Sequence, residues 1–172
     1  MVVEFNTIHL LKNTMRRINF LLSPILILFL LTNCSKDNNS TIDTTYPEID
    51  NTASDAFPKQ CSVIKRGETF TFRALLTDNS QLGSVSVDIH HNFDHHTHST
   101  EVNDCGMEPV KKAVKPFLLI RDFPIPAGSK SYHLNTEITV PADIDPGDYH
   151  FMIRLTDKEG WQTIKGLSVK IQ

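Results

Sequence analysis

The sequence predicts an all-β domain, a sandwich of about seven short strands, and three observations carry that prediction. Apolar residues recur at alternate positions: Phe70, Phe72, Ala74 and Leu76 interleave with Thr69, Thr71, Arg73 and Leu75, the period of a strand with one face buried. Clusters of turn-forming residues, among them Asp78-Asn79-Ser80-Gln81 and Asp157-Lys158-Glu159-Gly160, punctuate these runs. From Tyr46 onward no apolar stripe has helical spacing, and no internal repeat is visible.

Ahead of the domain lies a leader. Met15-Arg16-Arg17 is followed by twelve residues, 20–31, that are apolar apart from Ser23 and Pro24. That run is too short to cross a bilayer as a helix and suits the apolar core of a secretory signal. It ends in Leu31-Thr32-Asn33-Cys34, which resembles the lipobox of bacterial lipoproteins, with Asn33 in place of the usual small residue. The expectation is a signal peptide over 1–33, with the true start at Met15. Cys34 is then a lipidated N-terminus, 34–45 a polar tether, and 46–172 the sandwich. Such a chain sits in the cell envelope, held to the outer membrane by its lipid, on the periplasmic or the outer side.

Removing 33 of the 172 residues leaves 139, ample for one core. It also removes three basic and one acidic residue, taking the net charge from −3 to −5. A mildly acidic domain offers no electrostatic footprint for nucleic acid. Two cysteines remain, Cys61 and Cys105. In an exported protein an even pair is read as a disulfide, with free thiols or thiolate ligands as the alternatives.

The remaining strands follow the same logic. Val85, Val87 and Ile89 alternate over 84–91, Leu134, Thr136, Ile138 and Val140 over 132–140, and Tyr149, Phe151, Ile153 and Leu155 over 148–156. Phe117-Leu118-Leu119-Ile120 is a short apolar run between Pro116 and Pro124. In 162–172 the phase slips between Ile164 and Leu167, which predicts a bulge at Gly166. Asp145-Pro146-Gly147-Asp148-Tyr149-His150-Phe151 resembles the tyrosine corner of immunoglobulin-like domains, so the sandwich is expected to be immunoglobulin- or fibronectin-III-like.

The candidate site is the stretch His90-His91-Asn92-Phe93-Asp94-His95-His96-Thr97-His98, which opens a histidine-rich loop over 90–116. Clustered imidazoles with a carboxylate suit Zn²⁺, or Cu²⁺ next, better than Ca²⁺ or Mg²⁺. In an immunoglobulin-like sandwich the end of 84–91 lies beside the start of 148–156. His90 and His150 both have the outward phase, so they should face each other across two strands. The expected ligands are His90, Asp94, His96, His98 and His150; Asp94 can instead orient a histidine from behind. His91 has the inward phase and is read as a core-edge histidine, His95 as solvent-exposed, His133 as belonging to the opposite end, and Phe93 as the loop's anchor. The competing reading is a polar loop that collects metal as a purification tag does.

The histidine motif Ile89 to His98, together with Asp145 to Phe151, resembles the Bacteroidota lipoprotein family of unknown function numbered 4625. The resemblance implies an exported immunoglobulin-like domain with a lipid anchor and no particular activity. The residues favour a metal-binding envelope lipoprotein, not an enzyme, able to hand metal to an outer-membrane transporter. One alternative is an adhesion or glycan-uptake module in which the histidines are structural, although a single Trp and three Tyr make a poor aromatic platform. The other is a metallohydrolase, for which Asp94 and Glu101 are the only nearby bases and no HExxH or GxSxG motif exists.

Overall fold

A computed structural model describes residues 42–98 and 105–172. The leader, Cys34, most of the tether and Glu101 lie outside them. The compact unit begins at Ile42, four residues ahead of Tyr46.

The described residues form eight strands: β1 (Glu48–Asp50), β2 (Val63–Ile64), β3 (Thr69–Thr77), β4 (Leu82–His91), β5 (Leu119–Phe123), β6 (Ser131–Thr139), β7 (Gly147–Asp157) and β8 (Gln162–Ile171). They make two sheets, ordered β1-β3-β6 and β2-β8-β7-β4-β5. All pairings are antiparallel except the short parallel contact of β2 with β8. The five long alternating segments all become strands. The short apolar run at 117–120 contributes to β5, and the strands without a sequence signal are β1 and β2, of three and two residues, too short to show a period.

The alternating residues face each other between the sheets. Phe72, Leu76, Leu134 and Ile138 from one sheet meet Val87, Ile89, Phe151 and Ile153 from the other, all buried. Phe72 packs edge-on against Phe151, with ring centroids 5.1 Å apart. Tyr149 is buried, and its hydroxyl donates to the Asp145 carbonyl at 2.6 Å while accepting from the Phe117 amide at 3.1 Å. Burial pushes the phenol's pKa up. The corner thereby ties the entry of β7 to the segment that leads into β5.

The bulge expected at Gly166 is absent: β7 and β8 pair in unbroken register from Gly147↔Ile171 to Thr156↔Gln162. The phase slip has another cause. Thr163 and Lys165 occupy the inward phase, and their polar ends reach the Pro47 and Ile49 carbonyls beside β1. Ile164 therefore faces outward. The irregularity lies instead in β4, between Leu82 and Ser84, where Gly83 crosses the end of β7 so closely that a Cβ would run into the Asp157 carbonyl oxygen.

Candidate metal centre

The register of β4 on β7 sets His90 directly opposite His150. Their neighbours Ile89, Tyr149 and Phe151 are buried in the core, so both imidazoles leave the outer face of the five-stranded sheet. An outward residue in mid-sheet would ordinarily be wet, yet His150 is 0% exposed. Residues 92–98 fold back over it. The His96 and His98 rings each lie 4.7 Å from its ring, and its Nε2 is 3.2 Å from the His96 carbonyl oxygen.

The return of the chain is held by β7 itself. The Asn92 amide donates to the Asp148 carbonyl at 2.8 Å, and the Glu108 amide donates to Asp148 Oδ2 at 2.7 Å. Lys170 meets Asp148 Oδ1 at 3.1 Å. Phe93 is buried against Tyr149, and Lys111 lies 4.6 Å above the Phe93 ring. Gly147 makes that closure possible: at φ 133° it has no Cβ to meet Lys111 Nζ at 2.8 Å and Phe93 Cε1 at 3.0 Å. The far side is cross-linked by a disulfide between Cys61 and Cys105, with Cα atoms 5.3 Å apart. The Cys61 amide donates to the carbonyl of Ser168, the residue that pairs with His150 on β8.

Four imidazoles converge as a result. His90, His96, His98 and His150 each offer a ring nitrogen, all within 4.8 Å of one another. Nε2 of His90 and Nε2 of His98 are 3.1 Å apart. Two nitrogens bound to one tetrahedral zinc at 2.0–2.1 Å would sit about 3.3 Å apart, so this spacing needs little change.

Asp94, expected as a ligand or as an orienting group, takes the second role. Its Oδ1 lies 2.6 Å from His96 Nδ1, and that hydrogen bond is the first cause holding its carboxyl below the usual range. Asp88 does the same for His90 at 2.8 Å, and the sequence reading missed it. The signal was present: Asp88 stands two residues before His90 on a strand, and residues two apart in extended chain lie on one side, whereas Asp94 meets His96 across the turn at His95. His91 stays out of the cluster; its Nδ1 lies 3.5 Å from the Phe93 amide. His95 is not solvent-exposed as expected. It adopts φ 59° to reverse the chain, is half-buried, and places Nε2 2.8 Å from the Glu108 carbonyl oxygen. His133 lies on β6 in the other sheet, paired with Leu75.

The outer face beside the cluster is open. A depression of about 330 Å³ is lined by Asp88, His90, His98, Met152, Arg154 and Ile164, among others. His150 is not among its lining residues, so His90 and His98 border the depression while His150 is sealed.

Fold and site together define an all-β sandwich domain with a histidine cluster that could hold a metal ion. The chain belongs to the family described as a domain of unknown function, DUF4625, whose model matches residues 32–172. No curated protein matches it. Among solved structures it is similar to the GspB Siglec domain (20% identity, TM-score 0.39, covering 76% of this chain and 59% of that one). It is also similar to Spo0M, a sporulation control protein from Bacillus subtilis (11%, 0.41, 74% and 50%). A third is a family 123 glycoside hydrolase from Clostridium perfringens (14%, 0.38, 74% and 27%). The chain thus spans between about a quarter and three-fifths of those proteins.

Proposed function

We propose that this chain is a cell-envelope lipoprotein whose domain binds a transition metal, zinc first and copper next, for capture or delivery. The observation that carries the proposal is that two of the four imidazoles have a carboxylate on Nδ1, Asp88 on His90 and Asp94 on His96. A carboxylate there holds the proton on Nδ1, so the Nε2 lone pair faces the other rings. A tag-like tract has no use for that arrangement, nor for a fourth histidine from a strand more than fifty residues away.

The donor set fits the metal. Four neutral nitrogens satisfy tetrahedral zinc, and a flattened arrangement of the same four suits Cu²⁺. Four protein ligands also leave no coordination position for a reacting water, which favours holding the ion over hydrolysis. The open depression at His90 and His98 supports exchange with a partner, such as an outer-membrane transporter. Leu31-Thr32-Asn33-Cys34 supports the lipid anchor. Cys34→Ala should release the protein from the membrane fraction, and retention there would count against the anchor.

The test of the site is calorimetric titration of tag-free protein with zinc. His90→Ala and His150→Ala should weaken binding alike, by at least tenfold, and His133→Ala should leave it unchanged. Wild-type affinity in His150→Ala would defeat the cross-strand site.

A further inference from the structure

A second cluster sits at the other end of the sandwich. Asp43 precedes β1, Asp78 begins the turn between β3 and β4, and Asp157 ends β7. His150 and Asp157 are seven residues apart on one strand, about 23 Å at the usual rise. In each aspartate one oxygen has a structural task. Asp43 Oδ1 accepts from the Thr45 amide at 2.9 Å and Asn79 Nδ2 at 3.0 Å. Asp78 Oδ1 accepts from the amides of Ser80 and Gln81 at 2.8 and 2.6 Å. Asp157 Oδ1 accepts from those of Gly160 and Trp161 at 2.6 and 2.7 Å.

The second oxygen of all three is buried, and none has a hydrogen-bond partner among the described residues. The carboxylates converge, with one oxygen of each within 4.8 Å of the others. Asp157 is only 4% exposed. The turns explain the Oδ1 atoms and leave the Oδ2 atoms unexplained. Three such anionic oxygens without a counter-charge are costly to bury, and like charges so close oppose one another. The nearby Lys130 ammonium is turned to the Asn79 carbonyl instead.

We infer that Asp43, Asp78 and Asp157 form a calcium site, chemically separate from the histidine cluster. Their donors are all hard oxygens, whereas the histidine cluster is all nitrogen. Calcium takes six to eight oxygens at 2.3–2.6 Å in flexible geometry, and three carboxylates leave the rest of its shell to water. Magnesium demands a tighter octahedron and fits such a set less well. The ion would clip the segment that enters the domain, which carries Asp43, onto the turns that follow β3 and β7. Trp161 reports on that junction directly, because its indole Nε1 donates to the Asp43 carbonyl at 2.7 Å and its ring lies 5.0 Å from that of Tyr46.

The test uses the full chain, stripped with EDTA and titrated with CaCl₂. Trp161 is the only tryptophan, so its fluorescence should change saturably, with a midpoint in the range of about 10⁻⁴–10⁻³ M seen in extracellular modules. At tenfold that concentration Tm should rise by about 4–7 °C. Asp78→Asn and Asp43→Asn keep the Oδ1 acceptor that each turn needs, and both should lose the calcium response while binding zinc normally. His90→Ala should keep it. Asp43 lies outside the strands, so its variant still decides the matter if Asp78→Asn fails to fold. Absence of any response at 10 mM calcium (about ten times the weakest midpoint expected), or an undiminished response in Asp43→Asn, would overturn the site.

Discussion

Replacing Asp88 by asparagine isolates what a carboxylate behind a histidine contributes. The side chain of Asp88 is 42% exposed and its Oδ1 is 2.8 Å from His90 Nδ1. Asp88→Asn keeps the shape and one accepting oxygen but removes the charge. It also allows the amide to turn and donate to Nδ1, which would put the ring proton on Nε2, toward the other histidines. Loss of a partner of this kind typically costs 10- to 100-fold in metal affinity, or about 1.4–2.7 kcal/mol. Asp94→Asn should act alike through His96. Independent effects would multiply to about 10²–10⁴-fold in the double variant. The stacking of the His90 and His96 rings, with centroids 5.5 Å apart, should make the double effect differ from the product. The assay is competition for zinc against a chromogenic chelator, with Asp122→Asn, on β5 of the same sheet, as the control. Metal-free stability should move by no more than about 0.5 kcal/mol, as for most surface changes. Zinc affinity within twofold of wild type in Asp88→Asn would refute the reasoning, because the hydrogen bond would then not set the tautomer.

Three further outcomes follow from the scaffold. Gly83→Ala should destabilise by about 1–3 kcal/mol in thermal unfolding, since the added Cβ meets the Asp157 carbonyl and, at 2.8 Å, the Thr156 carbonyl oxygen. The paired change Cys61→Ser and Cys105→Ser should cost about 4 kcal/mol in urea unfolding, the loop-closure value for a span of 44 residues. Asp145 Oδ2 accepts from the Val114 and Lys115 amides at 2.7 Å each, and those bonds, Val114's first, hold its carboxyl below the ordinary 3.8. A depressed carboxyl adds stability that is present above its unfolded value and lost as pH falls through the folded one. Acid unfolding below pH 3.8 should therefore be less steep in Asp145→Asn, and an unchanged acid limb would count against this clamp.

The sandwich was legible because its long strands each bury one face, and a buried face imposes a period of two on the side chains. The same period, with the antiparallel neighbourhood expected of 84–91 and 148–156, placed His90 opposite His150. What periodicity does not encode is how a loop returns. Residues 92–98 come back over β7 because the Asn92 and Glu108 amides find Asp148, and because Phe93 finds the floor that Gly147 leaves open. Those are separate contacts with no repeat to betray them, so the burial of His150 and the half-burial of His95 were not visible. The apparent bulge at Gly166 misled for a related reason: inward positions near β1 are filled by Thr163 and Lys165, which serve backbone carbonyls where apolar side chains were expected.

The sealing of His150 has a kinetic side. A ligand that sits under its own loop cannot be reached by a competitor while the loop is down. If the cluster holds a metal as proposed, His90 and His98, at the edge of the depression, would be placed to pass it stepwise to an incoming donor. A metal bond to His150 would break only when 92–98 lifts, and lifting costs the Asn92 and Phe93 contacts together. Removal of zinc by excess chelator should then proceed at a rate that levels off with chelator concentration. Phe93→Ala, which loosens the loop without touching a ligand, should raise that plateau far more than it lowers affinity. Such a domain would be slow to lose its ion to dilute competitors yet quick to surrender it to a partner able to pry the loop open.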